Sequence, residues 1–154
     1  MNNTSRNSVP RLIQILFATI GAVTCVAVPL LFAISELSLY DGQPGRIFPA
    51  PGLYFLEIAL LGLIGFLSII KPELSTSAIW RGMPWICAGV LMTFVILGAW
   101  SIGFALIPGM LAFLITGILT DRRRKGDIAL HFILFISGGL VQSVLVLILL
   151  FFVR

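Results

Sequence analysis

The chain has 154 residues, of which 59% are hydrophobic and 10% charged, and its mean hydropathy is +1.12. Soluble domains carry about 25% charged residues, so this composition excludes a fold built to face water. A transmembrane β-barrel is excluded as well, since its strands alternate in polarity over about ten residues and no stretch here alternates. The net charge of +4 carries no nucleic-acid signal, because four of the ten basic residues form one cluster, Arg122-Arg123-Arg124-Lys125, between two apolar runs. Such clusters set membrane topology and hold anionic headgroups.

In chain order, Met1 to Pro10 is polar and reads as a short cytoplasmic tail. The first span is expected at about residues 12–34. It is longer than the apolar core of about 7–15 residues in a signal peptide, so it reads as a retained anchor. Pro29 is expected to kink it about one turn before its end. The first loop, Ser35 to Gly52, holds the turn signals Asp41-Gly42 and Pro44-Gly45. Tyr40, Phe48 and Tyr54 suit a belt at headgroup level. Pro49 and Pro51 lead into a second span at about residues 53–70. A second loop is expected from Lys71 to Gly82, with Trp80 and Trp85 bracketing the next membrane boundary.

Met83 to Thr120 is uncharged throughout. As one helix it would reach about 57 Å, against about 30 Å for the hydrocarbon core of a bilayer. Two spans are therefore expected, at about residues 84–100 and 104–120, joined near Trp100-Ser101-Ile102-Gly103. Pro108-Gly109 predicts a kink or a loosened first turn in the second of them. Asp121 to Asp127 reads as a compact basic turn, its cations favoured by a helix C-terminus. Asp127 suits the N-cap of a last span at about residues 128–153.

With five spans and the N-terminus inside, Arg6, Arg11, Lys71, Arg81, Arg122, Arg123, Arg124 and Lys125 are cytoplasmic, and Arg46 and Arg154 are outside. That split of eight to two follows the positive-inside rule, whereas a single crossing over 83–120 would give five to five. The expected fold is thus an all-α integral membrane protein, a single transmembrane domain over 1–154 with five helices. Four spans, with 83–120 as one long or re-entrant element, is the alternative.

Glu57 is the one ionisable group well inside a span. A charge in hydrocarbon costs about 2.5–3.5 kcal/mol on insertion scales, so such a group faces protein or water. Helical rise places Thr24, Cys25, Thr93, Gln142 and Ser143 in the same outer half. Glu57, Gln142, Ser143, Thr93 and Thr24 are accordingly the candidate intramembrane polar cluster, with convergence of Glu57 and Gln142 at its centre. Gln14 reads as interfacial, and His131, four residues after Asp127, is expected to pair with it on one helix face. Cys25 and Cys87 read as small buried hydrophobes at different depths, about 20 Å and about 5 Å along their helices from the cytoplasmic side. Arg122, Arg123, Arg124 and Lys125 are the candidate contacts for anionic lipid.

A lone membrane carboxylate on a short chain resembles the small multidrug-resistance transporters, four-span chains that work as dimers. The five expected spans, the long first loop and the place of Glu57 on the second span depart from that family.

No metal-ligand spacing, phosphate loop, nucleophile elbow or HExxH motif is present in the sequence. No cofactor, catalytic residue or enzyme activity is therefore expected. The functional expectation is a small structural or accessory subunit in the plasma membrane, with its N-terminus cytoplasmic and its C-terminus outside. Its partners would be the lipid bilayer and other membrane-protein subunits or further copies of itself, with no nucleic acid. The alternative is an oligomeric small-solute or ion transporter that uses Glu57 as its coupling carboxylate.

Overall fold

The computed structural model describes residues 8–39, 50–71, 77–98, 102–124 and 127–152. They form five helices: α1 (Ser8–Leu39), α2 (Ala50–Ile70), α3 (Ala78–Leu97), α4 (Gly103–Arg124) and α5 (Ile128–Phe152). Each is long and apolar enough to cross a membrane, and the helical form satisfies the backbone internally where lipid offers no partner. The fold is the all-α bundle expected from the apolar runs.

Several boundaries differ from the sequence expectation, and the reason recurs: a helix does not stop where the apolar run does. The first helix spans Ser8–Leu39, so Pro29 lies ten residues before its end rather than one turn. The third begins at Ala78, with Trp80, Arg81 and Gly82 helical and Pro84 inside, although 71–82 had the composition of a loop. The fourth continues through Asp121, Arg122, Arg123 and Arg124, all expected in the basic turn, while 125 and 126 lie outside the described residues. Part of the expected first loop is helical too, at 35–39 and 50–52, while 40–49 lie outside the described residues.

The 83–120 stretch is two helices rather than one. The Gly103 N–H donates to the Gly98 carbonyl at 2.7 Å and closes a hairpin between α3 and α4. A Cβ on Gly103 would stand 2.6 Å from Gly98 C and 2.7 Å from Val95 O, so the approach of the two backbones requires glycine there.

α1 packs on α2 and α4, and α3 packs on α4 and, more lightly, on α2. The first four helices therefore close a ring, and α5 lies outside it against α3. α3 is the most buried of the five and α5 the least. The centre of the ring is filled by Phe113 of α4, fully buried with Ile58, Leu91 and Leu106. A Cβ on Gly21 would stand 2.9 Å from the Phe113 ring, and one on Gly65 2.6 Å from it, so glycines on α1 and α2 make room for the aromatic. Lipid is as apolar as a side chain, so this packing is held by dispersion and not by exclusion of water.

Cys25 and Cys87 are both buried here and free. Their expected separation in depth is not found. Cys25 lies against Gly62 and Cys87 against Gly65, about one turn apart on α2. The expectation counted α3 from Pro84 and so placed Cys87 too close to the end.

Candidate functional site

Polar side chains gather at two levels. The first is built around Glu57 of α2. Gln142 of α5, itself buried, donates from Nε2 to Glu57 Oε2 at 3.1 Å. Glu57 is half-buried, at the edge of the bundle rather than in the ring that Phe113 fills. One turn along α5, the Gly139 carbonyl accepts from Thr93 Oγ1 of α3 at 2.9 Å and from Ser143 Oγ at 2.9 Å. The structure thus brings Glu57 to Gln142 directly, and Thr93 to Ser143 through one shared carbonyl. Thr24 does not join them. Its hydroxyl donates to the Ile20 carbonyl of its own helix at 2.8 Å, and its side chain faces Gly109 of α4.

Close backbone contact seats α5 at this level. A Cβ on Gly89 of α3 would collide with the Phe135 carbonyl, and one on Gly138 would come within 3.0 Å of Ile86 O. Small residues on both helices permit this approach, as at other membrane helix crossings. Tyr54 and Phe94 meet edge to face with centroids 5.9 Å apart, packing α2 on α3 beside Glu57.

The second level lies at the end that carries the basic segment. Asp121 of α4 is buried. Trp85 of α3 donates from Nε1 to Asp121 Oδ2 at 3.1 Å, and His131 Nδ1 of α5 lies 2.7 Å from Asp121 Oδ1. His131 therefore pairs with Asp121 and not, as its spacing predicts, with Asp127. Asp127 caps α5 instead, its Oδ1 accepting from the Ala129 N–H at 3.0 Å and the Leu130 N–H at 3.4 Å. Gln14 lies at this end too, turned into the bundle rather than toward the headgroups. It is buried and donates to Thr120 Oγ1 at 2.5 Å, while Thr120 donates to the Thr116 carbonyl, a polar seam between α1 and α4.

Arg81 of α3 belongs to this end. Its Nε is buried and has no hydrogen-bond partner, and a buried donor left unpaired costs on the order of 1–3 kcal/mol. Arg122 and Arg123 are exposed; the Arg124 side chain and Lys125 lie outside the described residues.

Sequence reasoning missed the Trp85–Asp121–His131 group because Asp121 reads as a turn residue once the helix is ended at Thr120. The i, i+4 pair Thr116 and Thr120, running into Asp121, was the available signal of a polar stripe that continues past the apolar run. Chemically, both groups tie helices together. Among the described residues no three His, Cys, Asp or Glu side chains gather as metal ligands do. Comparison with protein-family models, with curated proteins and with solved structures returned no match.

Proposed function

We propose that this chain is a small accessory or structural subunit of the plasma membrane that associates with other membrane proteins and performs no catalysis of its own. The observation that carries the reading is the filled ring. Phe113, Ile58, Leu91 and Leu106 are fully buried at its centre, leaving an apolar plug where a conduit would run. α5 offers the complementary feature. It is the least buried helix, and Leu140, Val144 and Leu147 are exposed along it, a face suited to lipid or to a neighbouring helix. The eight-to-two division of Lys and Arg supports a cytoplasmic N-terminus and an outer C-terminus. The basic segment would then meet anionic headgroups on the inner face.

A photoreactive residue at Leu140 or Val144, activated in native membranes, tests the subunit reading. A single cross-linked membrane protein in near-stoichiometric yield is expected. Cross-links to lipid alone at every α5 position would contradict it.

The half-buried setting of Glu57 favours a second reading, an oligomeric transporter whose pathway lies between chains and uses that carboxylate. The bond from Gln142 gives the side chain a structural role already, and for that reason the subunit reading is preferred.

A further inference from the structure

Arg81 stands four residues before Trp85 and so on the same face of α3. Trp85 lies against Gly117 and bonds Asp121, which fixes the register of α3 against α4. The two helices run in opposite directions through their hairpin, so one turn back from Trp85 on α3 corresponds to one turn beyond Asp121 on α4. Arg81 is therefore level with Arg122 and Arg123 at the end of α4.

The carboxylates described at this end face groups other than Arg81. Asp121 meets Trp85 with one oxygen and His131 with the other, and Asp127 caps α5. Arg122 and Arg123 are exposed, and Arg81 keeps a buried Nε–H with no acceptor. Three guanidinium groups on two adjacent helices are thus collected at one level, and among the described residues none of them has an acid. The level itself is informative, because candidate spans of α3 and α4 start at Ile79 and finish at Arg123, the depth at which headgroups lie.

A guanidinium fork matches a phosphate in plane and in charge. We propose that the basic end is a phosphate-binding site, in which Arg81 hydrogen-bonds the phosphate of an anionic phospholipid and Arg122 and Arg123 supply the surrounding positive potential. The site rests on the reading that the basic segment meets headgroups, and it adds a residue that potential alone does not single out. A diffuse basic surface attracts anions through its field and is screened by salt. The desolvated Nε–H of Arg81 instead sits in a fixed place and waits for one acceptor.

Native mass spectrometry of the full chain in mild detergent tests this, with phosphatidylglycerol, phosphatidylcholine and inorganic phosphate as probes. The parent is expected to retain one phosphatidylglycerol in preference to phosphatidylcholine. Arg81→Gln should weaken that retention about tenfold, the size of one charge-assisted hydrogen bond. Arg81→Lys keeps the charge but loses the fork and the Nε–H, and it too should weaken retention. It serves where the Gln variant does not elute as a folded species. The double variant Arg122→Gln/Arg123→Gln should chiefly reduce the dependence of retention on salt.

Unchanged retention in both Arg81 variants would overturn the site. If the double variant alone lost the lipid, the headgroup contact of the basic segment would stand without Arg81. If it did not, both would fall. Displacement of phosphatidylglycerol by millimolar inorganic phosphate would overturn the lipid as occupant and assign the same phosphate chemistry to a free ion.

Discussion

Gln142 of α5 donates to Glu57 of α2 at 3.1 Å, joining two helices whose main packing partners are others, α1 for α2 and α3 for α5. The bond is a tie across the bundle's edge, and its strength should be that of other hydrogen bonds between membrane helices, about 0.6 kcal/mol on average and up to about 1.7. Glu57→Gln preserves the shape and an acceptor for Gln142, so a loss below about 1 kcal/mol is expected. Gln142→Leu removes the donor and leaves the carboxyl group without its amide, and it should cost more than Glu57→Gln. Steric-trap unfolding in bicelles measures both; the reverse order would contradict the bond as described.

The Asp121–His131 pair, at 2.7 Å, makes the opposite end of α5 the stronger anchorage. Leaving a buried polar group without its partner costs about 1–3 kcal/mol, and Asp121 also accepts from Trp85. Asp121→Ala should therefore destabilise more than His131→Ala. A double-mutant cycle over the two should show coupling of about 0.5–3 kcal/mol, the range for residues in contact. The cycle of Asp127 with His131 should be close to additive. Coupling to Asp127 instead would restore the pairing that sequence spacing predicts.

The five helices were legible in the apolar runs because lipid leaves a backbone no alternative to internal bonding. The convergence of Glu57 with Gln142 was legible as well, through helical rise and the polarity of the two side chains. Helix ends were not. Arg81 and Asp121 lie in helices that continue past the uncharged run, where composition resembles a loop. The His131 partner was missed for a related reason: i, i+4 spacing reports neighbours on one helix, whereas Asp121 reaches His131 from another. Gln14 and Thr24 depended on the direction each side chain takes around its helix, which depth alone does not supply.

α5 is seated by a close approach of backbones, and that approach is sensitive to a single methyl group. A Cβ at Gly89 meets the Phe135 carbonyl, and overpacking of this kind costs about 1–3 kcal/mol. Gly89→Ala should loosen α5 from α3 and lower the yield of a disulfide engineered between them. Ala at Gly138, where the nearest atom is 3.0 Å away, should be milder. Equal disulfide yield in the Gly89 variant and the parent would contradict the crossing.

The proposed orientation rests on the division of basic residues and can be read by labelling. A cysteine placed at Gly126 should react with an impermeant maleimide only from the cytoplasmic side, and one at Gln43 only from outside, each in a chain whose native cysteines are buried. Reaction of both from one side would contradict the orientation derived from the eight-to-two split.

The plugged ring and the edge position of Glu57 both bear on whether the protein conducts. The most direct measurement is proton movement in proteoliposomes holding the full chain under an imposed membrane potential, for the parent and for Glu57→Gln. A filled centre should give the same proton flux in parent, variant and protein-free vesicles. A proton flux carried by the parent and lost by a correctly folded Glu57→Gln variant would contradict the subunit reading and make Glu57 the coupling group of a transporter.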